Sequence, residues 1–266
     1  MISMNGKPVE IGSFPDGTIL MRPDEYNTSR ITWKYENDRE FLALIYLVKH
    51  LRYIGFTTLE LYMPYIPNAR MDRVKNIYND VFTLKYFTDL LNSLNFDRVY
   101  VLDPHSDVSP ALIDNVQVIT AESRIKEAIL RMSEKEGVNT DNMLVYYPDA
   151  GSAKRYSDML QRYYIYGSKK RDWETGQIVG LDIVDNGFNL AGKDILIVDD
   201  ICSRGGTFYH SAKKLKELGV NKIFLYVTHC ENTILEGELL NTGWIEKVYT
   251  TDSIFTKNHA LIEVLK

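Results

Sequence analysis

Four short apolar runs in this chain end alike, each emptying into a polar loop that carries acids or prolines. They lie in "TLELYMPYIPNARMDR" (58–73), "RVYVLDPHSD" (98–107), "MLVYYPDAGSAKR" (143–155) and "ILIVDDICSRGGTF" (195–208). Between them run segments of helical period. Phe41, Leu44, Ile45, Val48 and Leu51 share one face of residues 41–54, and Gly55 is placed to end that helix. Leu84, Phe87, Leu91 and Leu94 do the same within 79–96. "TFYHSAKKLKELG" (207–219) reads as a helix closed by Gly219, and "NKIFLYVTH" (221–229) as the strand after it. Short strands alternating with helices predict an α/β fold with mainly parallel sheets. Ligands in such sheets sit beyond the carboxyl ends of the strands, where Arg70, Asp72, His105, Asp149, Asp199 and Asp200 are expected to fall. The pattern is doubled on either side of "VQVIT" (116–120), so a domain boundary is placed between 1–120 and 121–266.

Charge and composition narrow the function classes. With 31 Lys+Arg against 36 Asp+Glu, the net charge is −5, and no basic stripe of a nucleic-acid binder is present. No apolar run approaches the ~20 residues that span a bilayer, and "MISMNGKPVE" lacks a signal peptide's apolar core. Two cysteines, Cys202 and Cys230, do not make a disulfide framework. The expectation is a cytoplasmic protein with no nucleic-acid or membrane partner.

Two segments compete as phosphate sites. "GFNLAGKD" (187–194) has P-loop-like spacing, but it lacks the Ser/Thr and precedes a strand rather than joining strand to helix. It reads as a turn. "ILIVDDICSRGGTF" has the right context: small residues let backbone N–H groups surround a phosphate, and a helix N-terminus follows. Gly205 and Gly206 allow close approach, and Thr207 offers a hydroxyl. Asp199 and Asp200 are suited to sugar hydroxyls or to a magnesium ion. An acidic turn capping a helix explains one such acid, but not a pair followed by "GGT".

That stretch resembles the 5-phosphoribosyl-1-diphosphate motif of type I phosphoribosyltransferases and of ribose-phosphate diphosphokinases. Further colinear segments resemble the diphosphokinases specifically. "MPYIPNARMDR" (63–73) is similar to their ATP-binding PYxxYARQDR, "VLDPHSD" (101–107) to their DLHA, and "YPDAGSAKR" (147–155) to their SPDxGGxxRA. "FPDG" (14–17) resembles FxDG(E), and "SKKR" (168–171) sits where the family has a flexible-loop DKRR. The resemblance implies two tandem phosphoribosyltransferase-like domains, each a mainly parallel sheet flanked by helices. The first would bind ATP and the second a ribose phosphate. It implies a magnesium-dependent transfer of the β,γ-diphosphate of ATP to the anomeric hydroxyl of a ribose 5-phosphate unit. Phe14, Asp16, Arg70, Asp72 and His105 would serve ATP, and His105 and Asp149 the magnesium ion. Lys169 and Arg171 would act on the transferring group, while Asp199, Asp200, Ser203, Arg204, Gly205, Gly206 and Thr207 would hold the ribose phosphate. Each also has a plainer reading. His105 is then a hydrogen-bonded loop residue, residues 169–171 a solvated basic face, and Asp72 a partner of Arg70 or Arg73.

The departures from the family pattern bear on substrate. Ser203 and Arg204 replace the usual Asp-Thr, which makes the loop more positive by two formal charges. Arg204 can bind phosphate in bidentate fashion, so a larger acceptor such as ADP-ribose stands beside ribose 5-phosphate; pairing of Arg204 with a nearby acid is the alternative. Met71 replaces a Gln and Thr18 a Glu on the ATP side. The chain is shorter than typical relatives, so a homo-oligomer is expected without carrying over a hexamer. A phosphoribosyltransferase and a silent regulatory partner of a diphosphokinase are the competing functions.

Overall fold

The computed structural model describes residues 1–23, 28–74, 80–171 and 178–266, with the side chains of 169–171, 178 and 179 outside the description. The chain forms two compact units, Met1–Thr120 and Ala121–Lys266.

In the first unit, β1 (Ile2–Met4), β2 (Lys7–Pro8), β3 (Glu10–Ser13), β4 (Ile19–Arg22) and β5 (Arg30–Trp33) precede α1 (Arg39–Tyr53). Then come β6 (Glu60–Tyr62), α2 (Thr83–Asn92), β7 (Arg98–Leu102), α3 (Val108–Leu112) and β8 (Val116–Ile119). The main sheet runs β2-β1-β5-β6-β7-β8, parallel from β5 onward, while β3 and β4 form a separate antiparallel hairpin. Strand residues Ile31, Trp33, Leu61, Val99 and Val101 pack with α1 residues Leu44, Leu47 and Leu51 and α2 residues Leu84, Phe87 and Leu91. The second helix is shorter than its apolar period predicts. It stops at Asn92, and Asn95 takes a left-handed backbone in the turn toward β7.

The second unit holds α4 (Glu122–Glu136), β9 (Leu144–Tyr147), α5 (Ala150–Leu160), β10 (Tyr164–Arg171), β11 (Ile178–Val184) and β12 (Ile195–Cys202). It continues through α6 (Gly206–Glu217), β13 (Ile223–Cys230), β14 (Lys247–Thr251) and β15 (Ile262–Leu265). The sheet order is β11-β10-β9-β12-β13-β14-β15, parallel except for β11. β12 and β13 are its centre, and their alternating residues serve two cores. Ile195, Ile197, Ile223, Leu225 and Val227 pack with Phe208, Ala212 and Leu215 of α6. Leu196, Val198, Phe224 and Tyr226 pack with Ile125 and Met132 of α4 and Tyr156 of α5. Burial on both faces is why these strands read as unbroken apolar runs. Each buried Ile or Leu contributes roughly 1.5–3 kcal/mol. Residues 187–194 turn into β12, with Gly187 and Gly192 at positive φ.

Two expectations are corrected. Asp199 and Asp200 lie inside β12 rather than beyond it, because pairing with β13 resumes after Asp200 at Ile201–His229 and Cys202–Cys230. Residues 168–171 are a strand, not a loop. β10 outruns β9 but keeps its antiparallel ladder with β11, from Tyr166–Val184 to Arg171–Ile178.

Candidate active site

In the second unit, the loops after the parallel neighbours β9 and β12 open at the same sheet edge. Asp149, two residues after β9, is the N-cap of α5, and its Oδ1 accepts the N–H groups of Gly151 (3.1 Å) and Ser152 (3.0 Å). The sequence signal for that geometry is an acid two residues after the strand, followed by small residues. On the adjacent strand, Asp199 Oδ1 accepts the Ser152 hydroxyl at 2.8 Å and the Asp200 N–H at 3.0 Å. Asp200 is buried and faces the Arg155 guanidinium, with Nη1 3.3 Å from Oδ2. Burial and the adjacent Asp200 push the Asp199 carboxyl well above its ordinary value.

After these acids, Ser203, Arg204 and Gly205 turn the chain into α6, whose first helical residues are Gly206 and Thr207. Gly205 is fixed by two constraints. Its φ is +79°, and an added Cβ would stand 3.1 Å from Leu239. A second brace comes from residues 232–241, which form two short 3₁₀ turns. There Gly237 passes so close that a Cβ would lie 1.9 Å from the Arg204 carbonyl oxygen. The Glu231 N–H also donates to the Cys202 carbonyl at 2.8 Å. The first N–H groups of α6 have no acceptor within their own helix and carry its positive dipole end, which suits a phosphate. Arg204 itself extends outward and pairs with Glu236 at 3.1 Å, with both side chains largely exposed.

In the first unit, parallel β6 and β7 likewise open their loops at one edge, and the pairing continues as Met63 N–H donates to Tyr100 O and Leu102 N–H to Pro64 O. The loops that carry Arg70 and Asp72, and that carry His105, therefore leave the sheet at the same edge. Asp72 pairs with Arg73 at 3.5 Å. Phe14 and Asp16 lie on the β3–β4 turn, where Phe14 is exposed. There Thr18 donates to Asp16 Oδ1 through its N–H (3.0 Å) and its hydroxyl (2.7 Å), which lowers the Asp16 carboxyl from its ordinary value. The side chains of Lys169 and Arg171 lie outside the described residues.

Sequence reasoning did not single out Ser152, Arg155, Glu236 or Gly237. Only the first two had a signal, standing one helical turn apart behind Asp149. Asp149, Asp199 and Asp200 are hard oxygen donors that suit magnesium. Among the described residues no group of three or more His, Cys, Asp or Glu side chains gathers to hold a metal ion.

Comparison with known proteins decides the family. The ribose-phosphate pyrophosphokinase of Pyrococcus abyssi is 32% identical over 228 residues, covering 83% of this chain and 75% of that protein. The Thermococcus kodakarensis enzyme is 30% identical over 83% of this chain and 77% of its own length. The chain belongs to the ribose-phosphate pyrophosphokinase family. A phosphoribosyl transferase domain model matches residues 153–255, which include the β12 acids and the loop after them. The phosphoribosylpyrophosphate synthetase of Mycobacterium smegmatis shares the fold, with a TM-score of 0.77 at 19% identity over 97% of this chain and 85% of that one. Both sheets of the family's α/β architecture are therefore present here. Among the described residues no helix is long and apolar enough to cross a membrane.

Proposed function

We propose that this protein is a magnesium-dependent diphosphokinase that transfers the β,γ-diphosphate of ATP to the anomeric hydroxyl of a ribose 5-phosphate unit and works as a homo-oligomer. The observation that carries the reading is the acid pair Asp199–Asp200, fixed within the buried parallel strand β12 two residues before it ends and followed by a glycine cradle at a helix N-terminus, in a chain of this family. The anomeric oxygen attacks the β-phosphorus, the bond from that phosphorus to the α-phosphate's bridging oxygen breaks, AMP leaves, and the hydroxyl proton is released. Positioning and charge neutralisation supply most of the catalysis of such a transfer.

The roles divide by unit. Asp199 and Asp200 hold the ribose hydroxyls, and residues 203–207 hold the 5-phosphate through backbone N–H groups and the Thr207 hydroxyl. Arg70 gives a planar fork to ATP phosphates, with Asp72, Phe14, Asp16 and His105 completing the ATP side. His105 in the first unit and Asp149 in the second are each proposed as magnesium ligands, and magnesium would supply charge neutralisation at the phosphates. Lys169 and Arg171 stabilise charge on the transferring group. The test is AMP formation from ATP and magnesium with ribose 5-phosphate or ADP-ribose as acceptor, with phosphorus NMR of the product. No AMP with either acceptor would favour a transferase or a silent partner.

Arg204 is exposed and pairs with Glu236 at 3.1 Å, as the plainer reading of this side chain expected, so a larger acceptor such as ADP-ribose would have to draw it from that partner to use it. Arg204→Ala is expected to lower kcat/KM about tenfold more for ADP-ribose than for ribose 5-phosphate, the loss of one charge-assisted contact. Equal losses would sink that use of Arg204.

A further inference from the structure

We infer that Ser152 is a positioning residue that sets the orientation of the Asp199 carboxylate toward the acceptor's ribose, a role that rests on the assignment of that ribose to Asp199. Ser152 is held first by its own backbone. Its N–H donates to the N-cap Asp149, which pins the opening turn of α5. Its hydroxyl then lies 2.8 Å from Asp199 Oδ1 and 3.3 Å from Asp149 Oδ1. One hydroxyl hydrogen serves one acceptor at a time. The Asp149 oxygen already receives two backbone N–H groups, and the Asp199 contact is the shorter. The hydroxyl is therefore assigned to Asp199.

On Asp199, the Ser152 hydroxyl and the Asp200 N–H both fall on Oδ1. Two donors from two elements, α5 and β12, stop rotation of the carboxyl group about its last bond. Oδ2 is thereby left in one defined direction for an incoming hydroxyl. One turn further along the same helix, Arg155 holds Asp200. The same helix face thus fixes both acids, by different chemistry. Sites of this kind need their groups held to within about 10–20°, and the Asp200 N–H alone fixes one contact, not the plane.

The test uses the full-length protein and three variants: Ser152→Ala, Ser152→Thr, and Ser152→Ala combined with Asp199→Asn. Calorimetric Kd for ribose 5-phosphate and for ADP-ribose is measured beside KM and kcat for acceptor and ATP. Loss of one hydrogen bond to a carboxyl group predicts that Ser152→Ala raises the acceptor's Kd and KM about tenfold. KM for ATP and the melting temperature should change little, because the Asp149 cap uses the backbone N–H. Ser152→Thr should restore most of the loss, and Ser152→Ala should add less than about twofold in the Asp199→Asn background. The inference is overturned if Ser152→Ala binds the acceptor like wild type, if acceptor and ATP constants worsen together, or if the two substitutions add in full. Binding without AMP release would defeat the diphosphokinase reading, while the Kd series still judged Ser152. Binding of neither acceptor by the wild type would defeat both.

Discussion

The two units each present an acid that accepts one hydroxyl and one backbone N–H on a single oxygen, and the two acids respond oppositely. Asp16, on the exposed hairpin turn, is drawn below its ordinary value by Thr18. Asp199, bonded almost identically by Ser152 and the Asp200 N–H, is pushed well above it. The hydrogen bonds favour the anion in both places. What differs is desolvation and the neighbouring carboxylate at Asp199, which outweigh two hydrogen bonds. The candidate site of the second unit is thus braced by three elements of the fold, β12, α5 and the 232–241 segment. The FPDG turn of the first unit is held by contacts within itself and remains charged and solvated. Pre-assembly lowers the ordering cost of binding, so the two sides are expected to fail differently when perturbed.

The sharpest way to break this contrast is Gly237→Ala. Its Cβ would stand 1.9 Å from the Arg204 carbonyl oxygen and 2.9 Å from the carbonyl carbon. Both are backbone atoms, so the cradle must move. A displacement near 1 Å in a positioned site costs about a hundredfold in rate. The expected result is a fall of about that size in kcat/KM for the acceptor, with KM for ATP within about twofold. Unchanged acceptor kinetics would mean that the cradle is not rigid.

Asp199→Asn sharpens the electrostatic half of the comparison. The folded carboxyl titrates well above its ordinary value of 3.8. Between those values the folded state holds a proton that the unfolded chain has lost, so wild-type stability falls as pH rises through that window. Above it, the cost of the buried anion is constant. Asn carries no such charge, so the variant should match wild type near pH 4 and exceed it by an amount that grows as pH rises through that window. An excess of at least about 1 kcal/mol is expected at the upper end of the range, the scale of a single pKa unit. Urea unfolding without ligands or divalent ions across that range checks it. A pH-independent difference would remove the burial argument. Activity should fall in the same variant, a trade of stability against function.

Much of this arrangement was legible in the sequence. The β12 acids announced themselves because an apolar run seldom ends in two carboxylates, and Gly205 because a glycine there lets the backbone approach a phosphate; that Gly205 also takes a left-handed backbone is what the structure adds. The helix over 79–96 was legible in type but not in length, since Asn95 turns back before the apolar period ends. The acids were read as lying past their strand because the continuing ladder with β13 is a partner's property, not a local one. Ser152 and Arg155 meet Asp199 and Asp200 across 47 and 45 residues, and Glu236 meets Arg204 across 32. Pairs of that kind carry no periodicity for a sequence to display. Gly237 is harder still, because its importance lies in an atom it lacks.

The smallest effect is expected at the other member of the comparison. Thr18→Ala removes the hydroxyl from Asp16 but keeps the backbone N–H donor. The turn is solvent-exposed, so water replaces the lost partner and the melting temperature should not move. The Asp16 carboxyl should rise toward its ordinary value, which carbon-detected NMR titration can follow. KM for ATP should change by no more than about threefold, the scale of one exposed hydrogen bond, and the acceptor constants should not change at all. A large loss of ATP affinity would show that the turn is as tightly pre-set as the ribose side. The two units would then differ in solvation alone, and not in how firmly each holds its acid.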